Sequence, residues 1–150
     1  MLKFILSFLI CFCFNLIYSQ VNPNNIDIVR GKYGTPHIFS KTDKEAAYGL
    51  AWAHAEDDFK TIQETFLPVK GFLGKYKGKE GAQLDYVIQL LKCKETVEMQ
   101  FKNLSSEVVE VIEGYVEGLN AYALAHPNEV LVKKTFPITI LRNYMYDHVQ

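Results

Sequence analysis

Two short stretches near the start of the chain alternate between apolar and polar residues, and this alternation predicts a β-hairpin. Ile26, Ile28 and Arg30 share one alternation, and His37 with Phe39 share another after a turn. That turn lies within residues 33–38. Because both stretches are short, we expect two strands of only a few residues each.

The turn itself is predicted from its glycine and its proline. Gly34 can take the positive φ that a tight turn requires. Pro36 fixes its own φ and forces Thr35 into an extended conformation. The chain is therefore expected to reverse at Gly34 and to leave the turn extended.

A long helix is predicted directly after the hairpin. Thr42-Asp43-Lys44-Glu45 has the spacing of a capping box, and Pro68 marks the end of the helical segment. Gly49 and the neighbouring alanines make one face thin enough for another backbone to approach closely. Apolar residues recur with a period close to 3.6 at Ala47, Leu50, Ala51, Ala55, Phe59, Ile62 and Phe66.

The rest of the chain predicts a glycine-rich loop at residues 71–78 and two further helices. The last helix should be capped by Ser105 or Ser106 and should end before Pro127. A weak point is expected at residues 92–94 in the helix before it. The predicted helical stripes are Leu84, Val87, Ile88, Leu91, Val97 and Phe101, and then Val108, Ile112, Tyr115, Leu119 and Tyr122.

The first nineteen residues have the pattern of an export signal. Lys3 supplies the positive charge, and the apolar run of fifteen residues from Phe4 to Tyr18 is shorter than a membrane span requires. Cleavage is predicted after Ser19, which leaves Gln20 as the new N-terminus. Ile17 is not the small residue that peptidases prefer at that position, so an uncleaved anchor is the alternative. The predicted domains are a signal peptide at 1–19 and one exported unit at 20–150.

The cysteines give little support for redox or lipid chemistry. Cys11 and Cys13 follow bulky residues, so the chain lacks the small residue that precedes a lipidated cysteine. Both leave with the signal, and the remaining Cys93 cannot form a disulfide within the exported chain. We interpret Cys93 as a partly buried helical residue, with a nucleophilic thiol as the alternative.

The charge of the chain does not indicate a nucleic-acid partner. Its 16 basic and 17 acidic residues give a net charge of −1, and loss of Lys3 leaves fifteen basic residues against seventeen acidic ones. The lysines between 70 and 79 are spread through a glycine-rich stretch and form no basic patch with interleaved aromatic residues.

Two histidines are candidates for chemistry, but each has a structural alternative. His54 and Asp58 would share one face of a helix, so a metal site or a proton relay is geometrically possible. Two ligands do not make a metal site, and no metal is predicted. We expect Glu56-Asp57 to supply a buried structural carboxylate, with surface charge as the alternative. His37 follows a turn proline and is interpreted as a hydrogen-bonded structural residue rather than a catalyst.

Three motifs in this order resemble the α-chain opening of the penicillin acylase family. They are the YGTPHI turn at residues 33–38, the stretch YGLAWAHAEDDF at residues 48–59, and GYVEGLNAY at residues 114–122. The resemblance covers about residues 25–138. The family-motif positions to which it assigns structural roles are Tyr33, Gly34, Pro36, His37, Tyr48, Gly49, Asp57, Gly118 and Asn120.

The resemblance implies the N-terminal part of an N-terminal-nucleophile hydrolase of α+β class, with an αββα fold. A short β-hairpin would be followed by mainly helical segments. In this family an exported precursor cuts itself and exposes a serine whose own α-amino group acts as the base. That serine and the oxyanion-binding asparagine are expected beyond Gln150, so no catalytic residue is assigned to this chain. No cofactor is implied.

The resemblance also implies the partners and the location of the protein. The partners are the remainder of the α chain, the β chain of the same precursor and, in the complete enzyme, a small acyl-amide substrate. We expect a periplasmic or extracellular location and no stable membrane association. The form of residues 53–59 favours the lactone and lipopeptide acylases over the β-lactam acylases.

Two functional hypotheses follow. The first is a fragment of an exported acylase that is inactive alone. The second is a non-catalytic exported helical protein or degenerate copy, because residues 140–150 depart from the acidic, amphipathic continuation that the family resemblance implies.

Overall fold

The computed structural model describes residues 20–139, so the predicted signal and the departing tail at 140–150 lie outside the described residues. The described chain is mainly helical and contains one two-stranded sheet. It also contains three short 3₁₀ turns. The strands are β1 (Asp27–Arg30) and β2 (Pro36–Phe39), and the helices are α1 (Asp43–Phe66), α2 (Leu73–Leu90), α3 (Cys93–Gln100) and α4 (Ser106–Ala125).

The predicted hairpin is present. β1 and β2 are antiparallel, with Ile28 opposite Ile38. Gly34 has a φ of 80°, as its position in the turn predicts. One face of the hairpin packs on α1 at Gly49, where an added Cβ would lie 2.7 Å from Ile38 Cγ2. The thin face that the sequence predicts at Gly49 therefore receives side chains of the hairpin.

Helix α1 begins where the capping box places it. The Thr42 hydroxyl accepts a hydrogen bond from the Glu45 N–H (3.2 Å), and a Glu45 carboxylate oxygen accepts one from the Thr42 N–H (3.2 Å). The expectation of one continuous helix is wrong, because Asp58 has φ −157° and ψ 63°. Leu50, which we placed in the apolar stripe, is half exposed.

Helices α1 and α4 pack side by side and run in the same direction. A Cβ at Gly114 would lie 2.1 Å from the Lys44 carbonyl oxygen, and a Cβ at Gly118 would lie 2.4 Å from that of Tyr48. A step of four residues along α4 therefore matches a step of four residues along α1, so the two helices are parallel. The two glycines allow the backbones to touch, which larger residues would prevent.

The core lies between these two helices. It consists of Ala51, Ala55, Phe59, Ile62, Leu119, Tyr122 and Ala123. The Phe59 and Tyr122 rings meet edge to face, with centroids 5.0 Å apart. Phe136 comes from the segment that follows α4 and closes the core against Phe59 and Phe66.

The predicted loop at residues 71–78 is wrong, because α2 begins at Leu73 and is broken at Gly78, where φ is 63°. The chain folds back there. The buried Asp85 carboxylate accepts hydrogen bonds from the backbone N–H groups of Leu73 (3.0 Å) and Gly74 (2.9 Å). The Asp85 side chain, in the second half of α2, thus accepts from N–H groups in the first turn of α2 that have no partner within the helix.

The predicted weak point at residues 92–94 is confirmed as a break between α2 and α3, where Lys92 has a φ of 51°. Ser105 caps α4 as predicted, with its hydroxyl accepting from the Val108 N–H (3.4 Å). Cys93 is half-buried at the start of α3. None of the described helices combines the length and hydrophobicity needed to cross a bilayer.

Candidate functional site

Arg30 connects the hairpin to the middle of α1. Its Nη1 donates a hydrogen bond to the Gly34 carbonyl (2.9 Å), which stabilises the turn of the hairpin. Its Nη2 lies 3.0 Å from Glu56 Oε2 and 2.9 Å from Asp57 Oδ1, and it also donates to the Ala53 carbonyl (3.3 Å). The hydrogen bonds with Glu56 and then Asp57 raise the pKa of Arg30. We call Arg30, Glu56 and Asp57 the latch.

The latch explains why carboxylates are tolerated at this point of α1. Glu56 and Asp57 end the first half of the helix, where the partial charge of the backbone is negative. Arg30 places a cation there and also donates to the Ala53 carbonyl in this half of the helix. Our expectation of a buried carboxylate is wrong: the Asp57 side chain is 55% exposed. The ion pair lies at the surface because the hairpin covers only one side of α1.

Asp58 begins the second half of α1. Its Oδ1 accepts a hydrogen bond from the Thr61 N–H (3.1 Å), the bond of an N-cap. Hydrogen bonds from the Thr61 side chain and backbone lower the pKa of Asp58. The consecutive acidic residues therefore have different roles, two pairing with Arg30 and one capping a helix.

The replacement Asp58→Asn is expected to weaken the acid sensitivity of folding. A carboxyl with a depressed folded pKa stabilises the fold above its unfolded pKa, about 4, and this contribution is lost as pH falls through the folded pKa. Asparagine keeps the capping oxygen but does not titrate. Urea midpoints between pH 7 and pH 3 should fall less in the variant than in the wild type. An equal change in the matched control Asp27→Asn, an exposed strand carboxylate, would contradict this assignment.

His54 on α1 contacts a side chain of α4. Its Nδ1 lies 2.8 Å from the Tyr115 hydroxyl on α4. Burial raises the pKa of the Tyr115 phenol, which keeps it protonated. Within residues 20–139 no three His, Cys, Asp or Glu side chains are grouped to hold a metal ion.

The motif residues of the hairpin lie apart from those on the helices. Tyr33 is 88% exposed at the tip of the turn, next to Gly34. Pro36 begins β2 opposite Arg30, and His37 is exposed opposite Val29.

The motif residues on the helices make packing contacts. Tyr48 is buried, and Gly118 packs against its carbonyl oxygen. Gly49 packs against the hairpin. Asp57 pairs with Arg30, and Asn120 bonds to the backbone of Ile138. The structure therefore does not bring the predicted positions together at one reacting centre.

The segment after α4, residues 127–139, is here called the strap. It crosses the ends of α1 and α4 and is held by side-chain amides of both helices. Gln63 is fully buried, and its Oε1 accepts from the Leu131 N–H (2.9 Å) while its Nε2 donates to the Glu129 carbonyl (3.0 Å). Asn120 bonds to Ile138 in the same two-way manner.

Sequence reasoning did not identify Arg30, Gln63 or Asp85 as important residues. Gln63 had a local signal, since it is a polar residue between Ile62 and Phe66 of the predicted apolar stripe. Arg30 and Asp85 had none, because their partners lie in other elements or across the fold in α2.

A broad apolar surface on α2 and α3 faces outward. Lysines flank it at Lys79, Lys92 and Lys94. Contiguous exposed apolar patches larger than a few hundred Å² are typical of interfaces. Its exposed large residues are Leu84, Tyr86, Val87, Leu90, Leu91, Val97 and Met99.

Comparison with known proteins decides the family. The family model described as penicillin amidase matches residues 25–144. The chain belongs to the penicillin amidase family. The hairpin, the latch and the paired glycines of α4 all lie inside the matched stretch.

Similar proteins within the penicillin amidase family include penicillin G acylase of Escherichia coli, 26% identical over 134 residues. That match covers 86% of this chain and 16% of the relative. The acyl-homoserine lactone acylase QuiP of Pseudomonas aeruginosa is 28% identical over 98 residues, covering 65% of this chain and 12% of the relative. This chain thus spans only a small part of the curated relatives that it matches.

A solved structure shares the fold. The thermostable penicillin G acylase from Alcaligenes faecalis superposes with a TM-score of 0.62 at 23% identity, covering 78% of this chain and 62% of that chain. The α+β fold, a hairpin followed by helices, is therefore shared with a penicillin acylase. The fold class implied by the sequence is confirmed.

Proposed function

We propose that this chain is the N-terminal part of the α chain of an exported N-terminal-nucleophile hydrolase that cleaves linear amides between an acyl group and an amine. The observation that carries the proposal is the family match over residues 25–144. The fold supports it, since the solved neighbour is itself an acylase. No contact among the described residues favours the non-catalytic alternative.

The proposed partner is the rest of the same precursor. The matched part fills 62% of the solved chain but only 16% of the Escherichia coli relative, as expected for a short chain within a larger processed enzyme. The apolar surface of α2 and α3 is the contact area that such a partner would cover. Tyr86, Leu90 and Leu91 are each about two-thirds exposed without it.

The proposed substrate is a small molecule with an acylated amine. The relatives are named for penicillin G and for acyl-homoserine lactones, so the shared chemistry is hydrolysis of an amide that joins a carboxylic acyl group to an amine. The catalytic serine and its oxyanion donors would come from the partner polypeptide.

The DNA that follows codon 150 provides a direct test of the proposed function. A reading frame that encodes a serine preceded by glycine and followed by asparagine supports the acylase. The precursor expressed from that frame should cut itself and release acid from phenylacetyl amides or acyl-homoserine lactones. A locus without such a frame, or a precursor that matures but hydrolyses neither substrate class, would refute the proposal.

Export of the chain is expected to remove residues 1–19. Lys3 and the apolar run should direct secretion, and cleavage after Ser19 should leave Gln20, which can cyclise to a blocked end. N-terminal mass analysis of the secreted or periplasmic product tests this. Slow processing, with a membrane-held fraction, is expected from Ile17, and Ile17→Ala should speed it. A chain that still begins at Met1 and is found only in the cytoplasm would contradict both the signal and the location.

A further inference from the structure

The strap is bound through its backbone at two separate points. At the first point the Gln63 amide accepts from the Leu131 N–H and donates to the Glu129 carbonyl. At the second, seven residues later, Asn120 Nδ2 donates to the Ile138 carbonyl (2.8 Å) and Asn120 Oδ1 accepts from the Ile138 N–H (2.7 Å). Each side-chain amide thus acts on the strap as a peptide group of a neighbouring strand would.

The strap is also fixed between these two points. Lys70 Nζ donates to the Thr135 carbonyl (2.7 Å), and Thr135 is fully buried. The Phe136 ring packs against Phe59, with centroids 5.4 Å apart. The path of the strap is therefore defined along its length, and its last polar anchor is Asn120.

We propose that Asn120, with Gln63, is a positioning residue that sets the path of the strap and the direction of the polypeptide at residue 139. This role rests on the proposed function, in which further parts of the enzyme follow the strap. Since both amides bond to the backbone, these two anchors do not depend on the identity of the exposed strap side chains. Changes at exposed strap positions such as Lys133 and Lys134 should leave the path intact.

The chemistry of the Asn120 contact gives a specific signature. In the variant Asn120→Asp, an ionised carboxylate can still accept from the Ile138 N–H, but it has no donor for the Ile138 carbonyl and repels it. A protonated carboxyl is both donor and acceptor, so it can replace the amide. At neutral pH, repulsion between the carboxylate and the Ile138 carbonyl should outweigh the one hydrogen bond that remains and open the contact at Ile138. In acid, the protonated carboxyl should restore both bonds.

The other ionisable groups on the two helices are common to variant and wild type. They include His54 on α1 and Glu113, Tyr115 and Glu117 on α4. The wild type at each pH therefore supplies the background against which the effect of the new carboxyl is measured.

Amide hydrogen exchange on the full chain tests the positioning role. At pH 7, protection of the Ile138 amide in Asn120→Asp should fall about ten-fold or more relative to the Leu119 and Ala123 amides of α4. At pH 4 the ratio should return toward the wild-type ratio. The matched control Asn128→Asp adds the same charge to an exposed position of the strap and should leave the ratio unchanged.

A second variant keeps the test decisive if the charge disrupts folding. Asn120→Leu removes both hydrogen bonds at similar volume, and it should expose Ile138 without recovery in acid. The positioning role is overturned if Ile138 is unprotected in the wild type or if its protection falls only in parallel with that of α4. It is equally overturned if Asn120→Asp behaves as Asn128→Asp does. These readouts do not depend on amide hydrolysis, so failure of the proposed function would be seen separately.

Discussion

Replacing Gly118 with valine is expected to abolish or severely weaken the folded state. A Cβ at this position would lie 2.4 Å from the Tyr48 carbonyl oxygen and 2.8 Å from the Ala51 Cβ. The first neighbour is backbone and cannot rotate away, so α4 would have to move off α1 and open the core. Overpacking typically costs about 1–3 kcal/mol, and we expect the upper end or more because a backbone contact is lost.

Thermal and urea unfolding followed by circular dichroism measure this effect. The matched control Ala125→Val introduces the same side chain at an exposed position near the end of α4. Gly118→Ala should lie between the control and Gly118→Val. Equal unfolding midpoints for Gly118→Val and Ala125→Val would show that the helices do not touch at this glycine.

The 150-residue polypeptide alone is expected to hydrolyse no amide. The sequence contains no Gly-Ser-Asn processing site. The Ser105 hydroxyl, at the start of α4, is engaged in capping the Val108 N–H. An N-terminal-nucleophile hydrolase needs a serine with a free α-amino group and oxyanion donors, and without them the rate enhancement of at least about 10⁶ that enzymes provide is lost.

Acid release from a phenylacetyl amide and from an acyl-homoserine lactone, each followed against buffer, measures this activity. A Ser105→Ala, Ser106→Ala double variant is the control, since it removes both serines at the helix start. Turnover above buffer by the wild type would contradict the prediction. Loss of that turnover in the double variant would then place the nucleophile within this chain.

The elements that could be predicted from sequence are those fixed by neighbouring residues. Gly34 and Pro36 define the turn, Thr42 and Glu45 satisfy each other at the start of α1, and Ser105 caps α4 within three residues. In each case the partner lies in the same short segment. Local spacing is then enough to identify the contact.

The features that sequence reasoning missed depend on distant partners. The ion pairs of Glu56 and Asp57, just before the break in α1, are made with Arg30, which belongs to the hairpin. The reversal of α2 depends on Asp85 reaching the N–H groups of Leu73 and Gly74. An apolar stripe does not reveal such contacts, and a strong helical period conceals a break within it.

For the candidate site, the sequence predicted which residues matter but not which contact each of them makes. The family resemblance singled out Asp57, Gly118 and Asn120, and the structure gives each a separate contact. Gln63 was missed, although a polar residue in an apolar stripe was visible. The hydrogen bonds of Gln63 to the strap span 66 and 68 residues of sequence, which no local pattern encodes.

The parallel pairing of α1 with α4 sets the order in which the protein can fold. Gly114 meets Lys44 across 70 residues of sequence, so α1 cannot find its partner until α2, α3 and most of α4 have been synthesised. At roughly 5–20 residues per second, this delay is on the order of 4–15 s. During that interval the apolar stripe of α1 lacks its partner helix, so the nascent chain exposes apolar surface that the finished fold conceals.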